Sequence, residues 1–173
     1  DCDDTNPLLT DNCVSGKVVN LTLFVEGYYV GSSTMNSVKL NQDYESPADE
    51  VEDITVELHD AVDYSLVDTA IGTLKTDGTL SVTFNTAAAG SYYIAVKGSN
   101  IVQTWSAAPQ AVGTTPLNYD FSTSASQAYG DNMVLVSGKY AFYSGDMESV
   151  LGDGNVNGGD YSIWEIDDSN FET

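Results

Sequence analysis

Positive charge is what this chain has least of. Lysine and arginine together number five, all of them lysine, and there is one histidine, against 26 aspartates and glutamates in 173 residues. Nucleic-acid binding needs a basic surface that displaces counterions, so the composition excludes it. Without arginine there are no bidentate clamps for phosphate or carboxylate. An anionic membrane surface repels a chain of formal charge −21. No apolar run reaches the length of a membrane span or signal peptide. Cysteine is also scarce, at two residues. The hydrophobic content of 42%, in contrast, is enough for a packed core, so acidity here does not mean disorder.

The acids are clustered. Four of the first eleven residues are aspartate (Asp1, Asp3, Asp4, Asp11), ten acids lie from Asp43 to Asp68, and eight from Asp146 to Glu172. Carboxylates this dense, with so little lysine, are either solvated or hold a cation. The central cluster reads as a solvated face. The first residue is Asp1 instead of methionine, which leads us to expect a mature or excised piece of a larger protein. Cys2 and Cys13 lie close together. In an oxidising compartment they close a small loop worth roughly 3 kcal/mol, two free thiols being the alternative. Little lysine, abundant Thr, Ser and Gly, and this local pair favour an extracellular or cell-surface location.

From Lys17 to about Tyr143 the text reads as strands and turns. Val19, Leu21, Leu23 and Val25 alternate with Asn20, Thr22, Phe24 and Glu26, the period of two that buries one strand face. The same alternation runs through Ile54–Leu58, Leu80–Phe84 and Tyr92–Val96. Thr76-Asp77-Gly78-Thr79, between runs ending at Leu74 and starting at Leu80, predicts a tight hairpin. Further strands fit Met35–Leu40, Ile101–Trp105, Leu117–Phe121, Met133–Val136 and Tyr140–Tyr143. Helical periodicity is missing here, so the expected fold is all-β, an antiparallel immunoglobulin- or fibronectin-like β-sandwich. Residues 1–16 form an acidic cysteine-bearing segment, 17–144 the sandwich, and 145–173 a Gly/Asp/Asn loop with a short helix expected to bury Ile163 and Ile166 beside Trp164.

The tail carries the most specific chemical signal. Calcium takes six to eight oxygens, supplied by alternating Asp and Asn side chains and a carbonyl around a turn glycine. Asp153, Gly154, Asn155, Val156, Asn157 and Asp160 match the fifth to ninth and the twelfth positions of such a loop. Strict counting puts Ser149 and Leu151 at the first and third, and leucine cannot ligate. The reading adopted takes Asp146 and Glu148 as those ligands, with Val150, Leu151 and Gly152 inserted.

Several stretches resemble a secreted module of Bacteroidota-type bacteria. They are Val-Glu-Gly-Tyr-Tyr at 25–29, Ile-Thr-Val-Glu-Leu-His-Asp-Ala at 54–61, Gly-Ser-Tyr-Tyr-Ile-Ala-Val-Lys at 90–97, Thr-Trp-Ser-Ala-Ala-Pro at 104–109, Tyr-Asp-Phe-Ser-Thr-Ser-Ala-Ser-Gln-Ala-Tyr-Gly at 119–130 and Tyr-Ala-Phe-Tyr-Ser-Gly-Asp at 140–146. The resemblance implies a β-domain followed by a dockerin-like calcium loop, near the end of long proteins exported by type IX secretion. Asp1-Cys2-Asp3-Asp4-Thr5-Asn6-Pro7 is similar to the close of aspartate-rich repeats related to thrombospondin type 3, which implies half a calcium site from Asp1, Asp3, Asp4 and Asn6.

Catalysis finds no constellation. His59 is the only histidine and has no nucleophile motif near it, and neither a phosphate loop nor zinc spacing occurs. Tyr28, Tyr29, Tyr93, Trp105, Tyr129 and Tyr143 exceed what one inward face per strand requires. On a sandwich such rings pack into the core, stack on sugars or meet another subunit. Asp68-Thr69-Ala70 fits the tripeptide such bacteria O-glycosylate, at Thr69. The expected function is a non-catalytic, calcium-stabilised structural module of a filament or surface assembly, pairing with copies of itself. The alternative is a carbohydrate-binding or adhesive module using Trp105, Tyr28 and Tyr29.

Overall fold

The computed structural model describes residues 16–42, 45–147 and 152–171, with side chains of the last segment to Ile166. Asp1, Asp3, Asp4, Asn6, Cys2, Cys13 and Glu148 therefore lie outside the described residues. In chain order the elements are β1 (Lys17–Thr22), β2 (Tyr29–Gly31), β3 (Thr34–Met35), α1 (Val38–Gln42), β4 (Glu50–Asp60), β5 (Leu66–Lys75), β6 (Thr79–Phe84), β7 (Gly90–Gly98), β8 (Ile101–Trp105), β9 (Gln110–Val112), β10 (Leu117–Asp120), β11 (Val134–Val136), β12 (Lys139–Ala141) and α2 (Gly158–Phe171). Short 3₁₀ turns occupy Glu26–Tyr28 and three successive segments between Phe121 and Asp131.

Two main layers enclose one core. The larger sheet runs β5-β4-β7-β8, with β9 also paired to β7, and the smaller runs β10-β1-β6. Val19, Leu21, Val82 and Phe84 from the smaller sheet and Ile54, Val56, Leu58, Ile94 and Val96 from the larger belong to a single buried cluster. These are the apolar members of the period-two runs; on β6 their polar neighbours turn outward, whereas on β4 Thr55 and Glu57 face the other side of the sheet and are themselves buried. Among the described strands the pairing is antiparallel except that β1 and β10 run parallel, Val19 opposite Leu117; an isolated bridge between Val25 and Phe142 is also parallel. Phe24, expected on a polar face, is buried together with Leu23 and Val25, because β1 ends at Thr22 and the chain beyond it bonds to Gly78 and Phe142 instead of continuing the strand.

Two predicted elements take another form. The turn at 76–79 is present, with Gly78 at φ +86° and the Asp77 carboxylate accepting from the Thr79 N–H at 2.9 Å. The strands it joins, however, do not pair with each other: β5 pairs with β4, and β6 with β1. The turn is a corner between sheets, held because the Thr76 and Gly78 carbonyls accept from the Met35 and Leu23 N–H groups. Met35–Leu40 is not a strand. It ends after Met35 and turns into α1, where Lys39 reaches the carboxylates of Asp53 at 2.8 Å and Glu50 at 3.5 Å.

Past β12 the chain stays tied to the larger sheet as far as Ser144, which bridges to Ile101. The expected helix forms as α2, but Ile166 is 61% and Trp164 50% exposed, and only Ile163 is half-buried.

Candidate functional site

β4 and β7 pair with His59 opposite Tyr93, and β7 and β8 with Ala95 opposite Trp105. This register gathers His59, Tyr93 and Trp105. Tyr64 joins them from the β4–β5 turn, where it sits at φ +61°. The Asp60 carboxylate accepts from the Val62 N–H at 2.7 Å and that of Asp63 from the Ser65 N–H at 2.9 Å, which fixes this turn. Tyr129 comes from a 3₁₀ segment anchored by buried Ala128 and by the Gln127 carbonyl, which accepts from the Ala107 N–H at 2.9 Å and the Tyr119 hydroxyl at 2.6 Å.

Tyr64, Tyr93, Trp105 and Tyr129 line a cleft of about 300 Å³. Tyr93 is central, with ring centroids 5.5 Å from Tyr64, 6.0 Å from Trp105 and 6.4 Å from Tyr129. Beneath Trp105 the imidazole of His59 stacks at 4.3 Å. Its Nδ1 lies 2.9 Å from the Tyr64 carbonyl and its Nε2 2.9 Å from the Glu57 carboxylate, which also pairs with Lys97 at 2.9 Å. Burial pushes the Glu57 carboxyl up, but the hydrogen bonds from His59 and Lys97 outweigh it and hold it below the ordinary value. Burial, with the neighbouring Tyr64 and Tyr129 hydroxyls, raises Tyr93. With both ring nitrogens engaged, His59 is a spacer that sets the angle of Trp105 and the turn of Tyr64.

Of the aromatics flagged in the sequence, Trp105, Tyr93 and Tyr129 meet here. Tyr28 and Tyr29 do not: both pack against the core. The Tyr29 ring meets Phe24 edge-on at 5.0 Å, and the Tyr28 hydroxyl is pushed up to about 12 by burial and then by the charge of Glu52. Tyr64 was missed. The signal available was an aromatic set among the turn formers Asp60, Asp63 and Ser65.

The C-terminal loop brings two of its predicted ligands together. Asp146 is fully buried and its two carboxylate oxygens accept from the N–H groups of Asp153 at 2.8 Å and Gly154 at 2.7 Å. Asp160, also buried, accepts from Met147 N–H, one peptide unit from Asp146, and from Asn157 N–H at 2.8 Å. A side chain at Gly152 would collide with the Asp146 carboxylate, so that carboxylate occupies a cradle only glycine leaves open. Asp153, Asn155 and Asn157 are exposed. These are all hard oxygen donors of the kind calcium takes. No group of three or more His, Cys, Asp or Glu side chains is gathered for a metal among the described residues.

Thr69 is exposed on β5 opposite Glu57. Asp68 beside it accepts from the Thr86 and Ala87 N–H groups, each at 2.9 Å, and so closes the β6–β7 connection over the end of the sandwich. A larger groove of about 710 Å³ is lined by the smaller sheet together with Glu50, Thr73 and Lys75 of β4 and β5, but its polar groups bond to one another, Asn20 to Asn118 at 3.0 Å, Ser81 to Asn20 at 2.8 Å and Lys75 to Glu50 at 3.1 Å.

No protein-family model matches the chain, and no protein of curated function matches it. Two solved structures are similar to it, both described as type II cohesin–X-dockerin complexes from Acetivibrio cellulolyticus. One is an N-terminal interface mutant, 17% identical over 88% of this chain and 73% of that chain, with a TM-score of 0.45. The other is a C-terminal interface mutant, 19% identical over 83% of this chain and 65% of that chain, with a TM-score of 0.38. No helix among the described residues is long and apolar enough to cross a membrane.

Proposed function

We propose that this chain is a secreted, non-catalytic structural module of an extracellular or cell-surface assembly, which pairs with a second copy of itself along β5 and is stabilised by calcium at its C-terminal loop. The carrying observation is the state of that strand. Among the described residues β5 is the edge of the larger sheet, and it exposes Leu66 (55%), Val67 (38%) and Ile71 (69%). An edge of unpaired backbone groups with apolar side chains and no guarding lysine or proline before Lys75 is a template for strand addition. Its far half is covered, since a Cβ at Gly72 would meet Leu80, Val82 and the Ser81 carbonyl of β6. The open half is thus Leu66–Ile71.

Calcium has two tasks in this reading. Asp146, Asp160, Asn157 and Asp153, with the Asn155 carbonyl, would hold it at the base of α2, and bound cations would lower the −21 charge that opposes association. Electron micrographs of the native material, with and without chelator, test the proposal: ordered assemblies that thin out or vanish in chelator support it, and dispersed single particles in both conditions overturn it.

A second reading, an adhesive carbohydrate-binding module, is favoured by the aromatic cleft alone. Binding on a glycan array that is lost in Trp105→Ala would establish it.

A further inference from the structure

The four rings of the cleft stand at angles to one another. Tyr93 is inclined to Tyr64 by 35°, to Trp105 by 54° and to Tyr129 by 83°. Inclined rings wall a space on several sides, whereas a sugar-stacking platform presents faces in one plane. Each ring face is the negative pole of a quadrupole and attracts a cation within about 6 Å.

Among the described residues no lysine lies against these rings, and the one imidazole that does, that of His59 beside Trp105, is held by the Glu57 carboxylate. Lys39, Lys75 and Lys97 are engaged with carboxylates, Lys139 lies over the Phe24 ring and Lys17 is buried in β1. Acids flank the cleft in sequence: Asp60 and Asp63 hold the turn of Tyr64, and Asp131 lies two residues beyond Tyr129. None of the three is in an ion pair among the described residues. With the ring faces negative and the described lysines engaged elsewhere, the rings themselves favour a positively charged occupant.

The lining decides which cation. A primary ammonium carries three hydrogen-bond donors, and stripping its water is costly unless acceptors replace it. The cleft is lined by these four aromatic residues, whose side chains bring three phenol hydroxyls and one indole N–H and no charged group. Sugar hydroxyls make the same demand for placed polar groups. A quaternary ammonium donates no hydrogen bond and yields its hydration readily. We infer that the cleft binds a quaternary ammonium group, held by the faces of Tyr64, Tyr93, Trp105 and Tyr129. This site is separate from the edge of β5 and stands whether or not that edge pairs.

The chain has two tryptophans, Trp105 in the cleft and Trp164 on α2. In a Trp164→Phe background, fluorescence reports on the cleft. The probes are choline, ethanolamine (its primary-amine counterpart), 3,3-dimethylbutan-1-ol (its neutral counterpart) and maltohexaose. Choline should give a saturable change, with ethanolamine and the neutral alcohol each at least about tenfold weaker. Tyr64→Ala and Tyr129→Ala, at exposed positions that leave the melting temperature in place, should each weaken choline threefold or more. Co-sedimentation with phosphatidylcholine vesicles assigns the group to a lipid headgroup; choline binding without it assigns a soluble ligand. Equal binding of the neutral alcohol or of ethanolamine, response to maltohexaose alone, or no response to any probe overturns the inference.

Discussion

Two glutamates of β4, Glu52 and Glu57, show how environment divides identical side chains. Glu57 on β4 is held below its ordinary value by His59 and Lys97 once their bonds outweigh burial. Its contribution is complete above the unfolded-state value and is lost as pH falls through the folded one. Glu52, 7% exposed, goes the other way: burial raises it despite bonds from Ser99, and its Oε1 has no hydrogen-bond partner among the described residues. A raised carboxyl costs stability as pH climbs from the unfolded-state value through the folded one. At pH 7, Glu57→Gln should therefore lower the unfolding free energy and Glu52→Gln raise it, each by about 1 kcal/mol, the two differences shrinking toward pH 4. Denaturant titrations at both pH values check the signs. Asp146 offers a second residue-level test. Asp146→Ala strands two N–H groups and should cost about 1–3 kcal/mol. Millimolar calcium should raise the melting temperature of the parent chain, and chelator reverse it, while Asp146→Ala shows no calcium response. At this scale the sequence pointed to Asp146 and Asp160 through loop spacing, and to Trp105, Tyr93 and Tyr129 through surplus aromatics. For Tyr28 and Tyr29 the sequence leaves core packing and surface stacking open, because alternation within a short run cannot show that a 3₁₀ turn sets the Tyr29 ring on Phe24 and the Tyr28 hydroxyl near Glu52.

Among elements, the period-two runs mark the core strands well, since burial of one face is a local pattern. What pairs with what is not local. Asp77-Gly78 marks a tight turn, yet whether its strands pair depends on Leu23 and Met35, more than forty residues upstream, taking the turn's carbonyls. The corner is also sterically exacting: a Cβ on Gly78 would lie 2.8 Å from the Phe24 ring and 2.9 Å from the Leu23 carbonyl, at a φ of +86°. Gly78→Ala should cost about 2 kcal/mol or more by strain and overpacking. Hydrogen exchange should show the loss of protection concentrated at Leu23 and Met35. Met35–Leu40 misled for a related reason. Its alternation suits a strand, but Lys39 finds Asp53 and Glu50 on β4 only if the segment coils into α1. The helix after residue 157 was legible, its burial was not, since its apolar residues have no sequence signal that distinguishes a core partner from an exposed face.

For the whole molecule, charge and edge act against each other. A formal −21 repels like copies, while under the proposed function the open strand with exposed Leu66, Val67 and Ile71 would attract them. In the proposed function, calcium would shift that balance by occupying carboxylates. Ile71 offers a clean handle on it, because it points to solvent and its replacement leaves the core untouched. The decisive measurement is the solution mass of the purified chain by light scattering in millimolar calcium, for the parent and for Ile71→Lys. The account predicts assemblies well above 18.5 kDa for the parent and the monomer mass for Ile71→Lys at an unchanged melting temperature. A parent chain that stays at the monomer mass in calcium, or an Ile71→Lys chain that assembles as the parent does, would contradict it.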